Sequence, residues 1–184
     1  MEKQFACKRK YSAKMDPEKK VSEMSIKIVY YSLQGNTDYT SERIATVTGA
    51  ELVRLKPDLE PGNSGFGMYA KGGWSALSRK KVSLLSVPEH LEICDTLVIG
   101  SPVWAGTYTP AIGAFLEILN GLSAKPEKIF LFGCSSSGKS EKMFKEIEQK
   151  LNCRICGTAG FKDPLNNQER ESPAIDAFAQ SLLK

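Results

Sequence analysis

Residues 25–37 read Ser-Ile-Lys-Ile-Val-Tyr-Tyr-Ser-Leu-Gln-Gly-Asn-Thr, an apolar strand running into a short, uncharged turn rich in hydroxyl and amide groups. A helical pattern follows at once, carried through Tyr39, Ile44 and Val47. Such a strand–loop–helix junction points several backbone N–H groups and the positive end of the helix at one spot, which suits a phosphate. The loop holds no Lys or Arg, so it would grip an anion with neutral donors alone. That is a particular way of binding a nucleotide.

Working outward, the chain alternates strand and helix signals. Residues 26–32, 51–55, 96–101, 128–133 and 154–161 read as strands, and 36–48, 110–119 and 141–151 as helices. In the second helix Ile112, Phe115, Leu116 and Leu119 recur at i, i+3, i+4 and i+7, and in the third Met143, Ile147 and Leu151 share a face. Ser172 is expected to cap a last helix with Pro173 at its first position and Ile175, Phe178 and Leu182 inward. Strands that are near-continuous apolar runs imply a parallel sheet covered on both faces. Five βα steps in sequence imply a doubly wound α/β sheet. Ligands of such sheets bind beyond the carboxyl ends of the strands, which singles out the loops after Ser32, Ser101 and Gly133.

Bulk properties narrow the class. The chain has 184 residues, enough to bury a substantial core, with 41% hydrophobic and 25% charged residues. No apolar run approaches the ~18 residues of a membrane span. The five cysteines are odd in number and scattered, the usage of a reducing compartment, and a cytoplasmic protein is expected. Residues 1–23 hold seven basic and four acidic side chains, so three of the four net positive charges belong to this polar leader. Residues 1–24 are therefore expected to form a basic N-terminal extension, with Met24 as an alternative start, and 25–184 one folded domain. Nucleic-acid binding is not expected, because the remainder is close to neutral.

One pattern competes. Gly133-Cys134-Ser135-Ser136-Ser137-Gly138-Lys139-Ser140 matches G-x-x-x-x-G-K-[ST] in full, after a strand and before a helix. It would make the protein an NTP-binding one, with Lys139 on the phosphates and Ser140 on Mg²⁺. Only 44 residues follow Ser140, and Asp163 is their nearest acid suited to the metal. That reading also leaves the other two loops without a role.

Taken together, the three loops resemble those of the flavodoxins. Ser32-Leu33-Gln34-Gly35-Asn36-Thr37 is similar to the phosphate loop. Gly100-Ser101-Pro102-Val103-Trp104-Ala105-Gly106-Thr107 looks like the second flavin loop of compact bacterial members, and Gly133 to Gly138 like the third. The run Phe161-Lys162-Asp163-Pro164-Leu165 resembles the exit of their final strand. The resemblance covers nearly everything but the leader. It implies a five-stranded parallel sheet in the order 2-1-3-4-5 with helices on both faces. It also implies FMN as cofactor, held by residues 32–37, by Ser101, Pro102, Val103, Trp104, Ala105, Gly106 and Thr107, and by Cys134, Ser135, Ser136, Ser137 and Gly138. Side chains of Ser32, Gln34, Asn36 and Thr37 would meet the phosphate. Trp104 would stack on the isoalloxazine, with ~150–250 Å² of aromatic surface to bury.

The implied function is electron transfer between cytosolic redox proteins through the flavin. An FMN-dependent NAD(P)H quinone or small-molecule reductase is the alternative. Two departures bear on potential: no Asp or Glu follows Trp104 in its loop, and Lys139 stands where an aromatic would cover the ring. At roughly 8 Å and an effective dielectric of 20–40, one charge contributes about 1–2 kcal/mol, or about 40–90 mV. Acid-poor loops therefore predict a less negative potential for the fully reduced flavin than acidic flavodoxins have.

Other features carry less. Residues 56–95 form a connection too long for a tight turn, in which a helix is expected from about 67 to 77 and an irregular flap before Glu89. Cys153-x-x-Cys156 is expected to enter a strand, where i and i+3 face opposite sides ~10 Å apart, too far for a disulfide. No second pair completes a zinc site, and His90, the only histidine, has no catalytic partners in view.

Overall fold

The computed structural model describes residues 25–58, 81–86, 91 and 94–184. Five strands, β1 (Ile26–Tyr30), β2 (Glu51–Arg54), β3 (Thr96–Pro102), β4 (Lys128–Ser135) and β5 (Gly157–Lys162), form one sheet in the order β2-β1-β3-β4-β5. Every pairing is parallel. The helices are α1 (Asn36–Thr48), α2 (Pro110–Gly121), α3 (Glu141–Leu151) and α4 (Gln168–Ser181). The expected strand order holds, and the expected bounds of α1 and α3 are met to the residue.

Alternation along the central strands explains the two layers of helices. Val29, Leu97, Ile99 and Leu131 point to one face and pack with Ile112, Phe115, Leu116 and Leu119 of α2 and Met143, Ile147 and Leu151 of α3. Ile28, Val98, Phe130 and Phe132 point to the other, against Ile44 of α1 and Ile175, Phe178 and Ala179 of α4. Each such side chain, when fully buried, stabilises by about 1.5–3 kcal/mol. Phe178 is the hub of its layer, with Phe130, Phe132 and Phe161 around it at centroid distances of 6.2–6.5 Å.

Three expectations at the C-terminal end are corrected. The last helix starts at Gln168 with Asn167 before it, so Pro173 lies inside the helix rather than at its first position. The reason is local: Asn167 Nδ2 donates to the Asp163 carbonyl (2.9 Å) and its own carbonyl accepts from Glu171 N (3.0 Å), starting the helix one turn early. The fifth strand begins at Gly157, not 154, so the Cys153–Cys156 pair precedes the strand instead of entering it. Both thiols are free, as expected.

The long connection is pinned at its ends. Pro57 and Leu84 form an isolated antiparallel bridge, with Asp58 N to Ser83 O at 2.9 Å and Leu85 N to Lys56 O at 2.8 Å. The helix expected at 67–77, the flap, His90 and the N-terminal extension lie outside the described residues. Among the described residues, no helix is long and apolar enough to cross a membrane and no cluster of metal-binding side chains is present.

Candidate functional site

Parallel strands that end together leave their following loops at one edge of the sheet, and here three of them meet a fourth. A cleft of about 830 Å³ opens there, lined by Ser32, Leu33, Gln34, Asn36 and Thr37 from the β1–α1 loop and by Pro102, Val103, Trp104 and Ala105 after β3. Cys134, Ser135 and Ser136 line it at the end of β4, and Asp163 and Asn166 line it beyond β5.

The β1–α1 loop is built to leave donors open. Gly35 takes a left-handed φ of 87° and is followed directly by α1, with no side chain capping the helix start. A residue with a Cβ would be strained here and would meet Leu165 Cδ2 at 3.1 Å. The first N–H groups of a helix have no partner within it. Thr37, 1% exposed, has a buried Oγ1 that makes no well-formed hydrogen bond, with only the weakly polar Cys134 thiol beside it. Leaving a buried hydroxyl unpaired costs about 1–3 kcal/mol, unless a ligand completes it. Ser32 Oγ accepts from Gly35 N (3.2 Å), which sets the turn and leaves its own proton to donate. Asn36 Oδ1 accepts from Leu165 N (2.9 Å), which fixes the side chain and leaves its amide NH₂, the half that can donate to a phosphate, for a ligand.

The second loop is a two-residue turn. Trp104 and Thr107 exchange both backbone bonds (2.9 and 3.0 Å), and Ala105 and Gly106 take φ of 51° and 83°. Positive φ at both central positions defines a type I′ geometry, for which a non-glycine residue costs about 1–3 kcal/mol. Trp104 is 5% exposed and meets Tyr31 edge-on (6.1 Å, 83°). It is a wall of the cleft held by the core, so little of its surface remains for a ligand to bury. Thr107 Oγ1 donates to Glu146 of α3, whose other oxygen lies 3.8 Å from Lys142 Nζ. The loop itself has no acid, but the fold brings a carboxylate to it.

The third loop settles how its residues are used. Gly133, Cys134 and Ser135 are still in β4, paired with β3 and β5, so only a short turn separates strand from helix. Gly138 N donates to Ser135 O (3.4 Å), Lys139 N to Ser137 Oγ (3.2 Å) and Ser140 N to Glu141 Oε2 (3.1 Å). These are groups a phosphate nest would have to offer, and they are already occupied. Ser140 Oγ is buried against the sheet: a Cβ at Gly133 would meet it at 2.4 Å. Gly160 of β5 admits the Gly138 carbonyl, which a Cβ there would meet at 2.3 Å. The turn is folded down onto the sheet, and Ser140 Oγ packs against Gly133 and Gly160 rather than lining the cleft.

Of the residues expected at the site, Gly35, Ser101, Gly106, Thr107, Ser137 and Gly138 do not line the cleft. Ser101, 1% exposed, bonds Pro102 O (2.8 Å) and accepts from Thr109 N, bracing the strand end. Gly35 and Gly106 serve through their backbone turns. Asp163 and Asn166 were missed as site residues. Asp163 takes φ 42°, and Asn166 Nδ2 donates to both its carboxylate oxygens (3.0 and 3.1 Å). The sequence signal was the Asp-Pro after a strand, a turn pattern open to other uses.

Burial pushes the Cys134 thiol up to about 12, so it stays protonated and unreactive at neutral pH. Desolvation first, and Asp38 second, push Tyr30 up to about 12.

The cleft thus lies at the loop edge of a doubly wound α/β sheet, where such folds place their ligands, with neutral polar side chains on one side and Trp104 on another. The flavodoxin family profile matches residues 25–167, and the chain belongs to that family. No curated protein matches it. Its fold is similar to that of a Bacteroides eggerthii protein proposed to be a flavoprotein (TM-score 0.68, 17% identity, 87% of this chain and 98% of that one). It is also similar to a Lactobacillus acidophilus flavoprotein in complex with FMN (TM-score 0.57, 18% identity, 79% and 97%). Oxidised flavodoxin 2 of Bacillus cereus is a third (TM-score 0.56, 16% identity, 86% and 97%).

Proposed function

We propose that the protein binds FMN in this cleft and passes electrons between redox protein partners. The observation that carries the reading is Thr37: a buried, unpaired hydroxyl at an uncapped helix start, in the same cleft as Trp104. A phosphate dianion supplies the acceptors that these donors lack. Ser32, Gln34 and the Asn36 amide would complete the phosphate end. Trp104 and Val103 would border the ring, and Ala105, Ser135 and Ser136 would offer polar contacts to its edge. FMN, when bound, supplies one-electron chemistry; the chain holds it, orients it and sets the surrounding charge.

The loops' lack of acids is offset in part by the fold. Asp163 lines the cleft, and Glu146 reaches the second loop through Thr107, with Lys142 beside it. A carboxylate near the ring raises the energy of the anionic reduced flavin. The predicted rise in potential is correspondingly moderated.

Absorption of the purified protein, followed by FMN titration of the apoprotein, tests the reading. Flavin bands and saturable binding are expected; no binding would overturn it. Stopped-flow mixing of the FMN-loaded protein with NADPH separates carrier from reductase, and fast hydride transfer would favour the reductase.

A further inference from the structure

The phosphate loop is free of cations in sequence, yet one reaches it from another strand. Arg54, the last residue of β2, donates from Nη2 to the Ser32 carbonyl at 3.0 Å. Its Nη1 lies 3.4 Å from Oδ1 of Asp38, in the first turn of α1. Asp38 is the only acid of that first turn. It also bonds the Tyr30 hydroxyl at the end of β1.

Asp38 suits a bare helix start, since a carboxylate there complements the positive end of the helix. For a start that must receive a dianion, the same charge is a liability. Like charges within one helical turn repel. Arg54 is placed to offset that charge while fixing Ser32, whose hydroxyl and carbonyl both belong to the loop's frame. The guanidinium fork suits this double task, because its two amino groups are held in one plane at fixed spacing.

We propose that Arg54 is a positioning residue for the phosphate end of the cleft, neutralising Asp38 and anchoring Ser32 so that a dianionic phosphate is preferred over a neutral ligand end. This rests on the cleft being a flavin site. Arg54 does not line the cleft and carries no electrons. It acts through Asp38 and the Ser32 carbonyl.

The test compares FMN with riboflavin, which lacks the phosphate, on the purified full chain carrying Arg54→Gln, Asp38→Asn or both. Dissociation constants come from flavin fluorescence quenching. Arg54→Gln is expected to weaken FMN about tenfold and riboflavin less than about twofold, with the FMN loss growing as pH rises through the second phosphate ionisation near ~6. Adding Asp38→Asn to Arg54→Gln should recover most of the loss, because the unpaired carboxylate has gone. Arg54→Lys, which keeps the charge, should hold the preference for FMN even where Arg54→Gln folds poorly. Equal weakening of both flavins by Arg54→Gln, no weakening of FMN, or no recovery in the double variant would overturn the proposal while leaving the cleft a flavin site. A wild-type chain that binds neither flavin would overturn both.

Discussion

The β1–α1 and β4–α3 loops occupy equivalent places in the sheet, each after a buried parallel strand and before a helix, and each contains glycine and hydroxyl residues. In sequence the β4–α3 segment is the stronger phosphate signal, since it completes the P-loop pattern. In the structure the order reverses. The first strand stops at Tyr30, and a left-handed Gly35 delivers an uncapped helix start whose Thr37, with a buried, unpaired hydroxyl, lines the cleft. The other strand runs on to Ser135, two residues past the first glycine of the pattern, and the turn after it satisfies the N–H groups of Gly138, Lys139 and Ser140. The start of α3 also lacks a side-chain cap and the Ser140 hydroxyl is also unpaired, but that hydroxyl packs against Gly133 and Gly160 and does not line the cleft. Where a strand ends, and what the next backbone donors already hold, decides whether a glycine-rich loop can take a phosphate. Residue types alone do not.

The two loops differ most at Thr37. Thr37→Val keeps the shape and removes the hydroxyl. A hydrogen bond to a charged group is worth about 1.5–3 kcal/mol, so FMN affinity should fall about 10- to 100-fold. Riboflavin affinity should change little, as isothermal titration would show. Gly160→Ala tests the other loop. Its Cβ would meet the Gly138 carbonyl at 2.3 Å, and overpacking of this kind costs about 1–3 kcal/mol, read as a lower midpoint in urea denaturation. A stable Gly160→Ala variant would mean the β4–α3 turn is not pinned to the sheet as described.

Smaller effects sharpen the same contrast. Glu146→Gln removes a negative charge tied to the Trp104 turn while keeping an acceptor for Thr107. A redox titration should show the potential of the fully reduced flavin moving up by on the order of 30 mV. A shift downward would place the charge effect elsewhere. At alkaline pH, Tyr30 supplies a final check. The native state keeps its proton up to about 12, against an ordinary value of 10, so between these values the folded chain binds more protons than the unfolded one. Stability should then fall as pH rises through that window. Tyr30→Phe should lessen the slope, and an unchanged slope would assign it to other groups such as the buried Cys94 and Cys134 thiols, which shift the same way.

Much of the fold was legible because the buried strands are unbroken apolar runs and the helices carry clear periodicity; α1 and α3 needed nothing else. The last helix was misplaced because Pro173 next to a serine imitates a helix start, while the true start rests on Asn167 reaching back to the Asp163 carbonyl. The three site loops were legible from residue type and position after strands. Asp163 left only an ambiguous Asp-Pro turn signal, and Glu146 and Arg54 left none, for a shared reason. Each of these two touches its loop from outside it, from a helix face and from a second-strand end. Linear spacing carries no signal for such contacts. Trp104 was found, but its edge-on packing against Tyr31 is a property of the folded core.

We propose that the β1–α1 loop, and not the β4–α3 loop, holds the nucleotide phosphate. Thermal denaturation of the full chain with FMN and with ATP–Mg²⁺ at matched concentrations tests it most directly, because a ligand that binds the native state raises the midpoint with concentration. A concentration-dependent rise is expected with FMN, diminished by Thr37→Val and unchanged by Lys139→Ala, and no rise with ATP–Mg²⁺. A larger rise with ATP–Mg²⁺ than with FMN, abolished by Lys139→Ala, would contradict it.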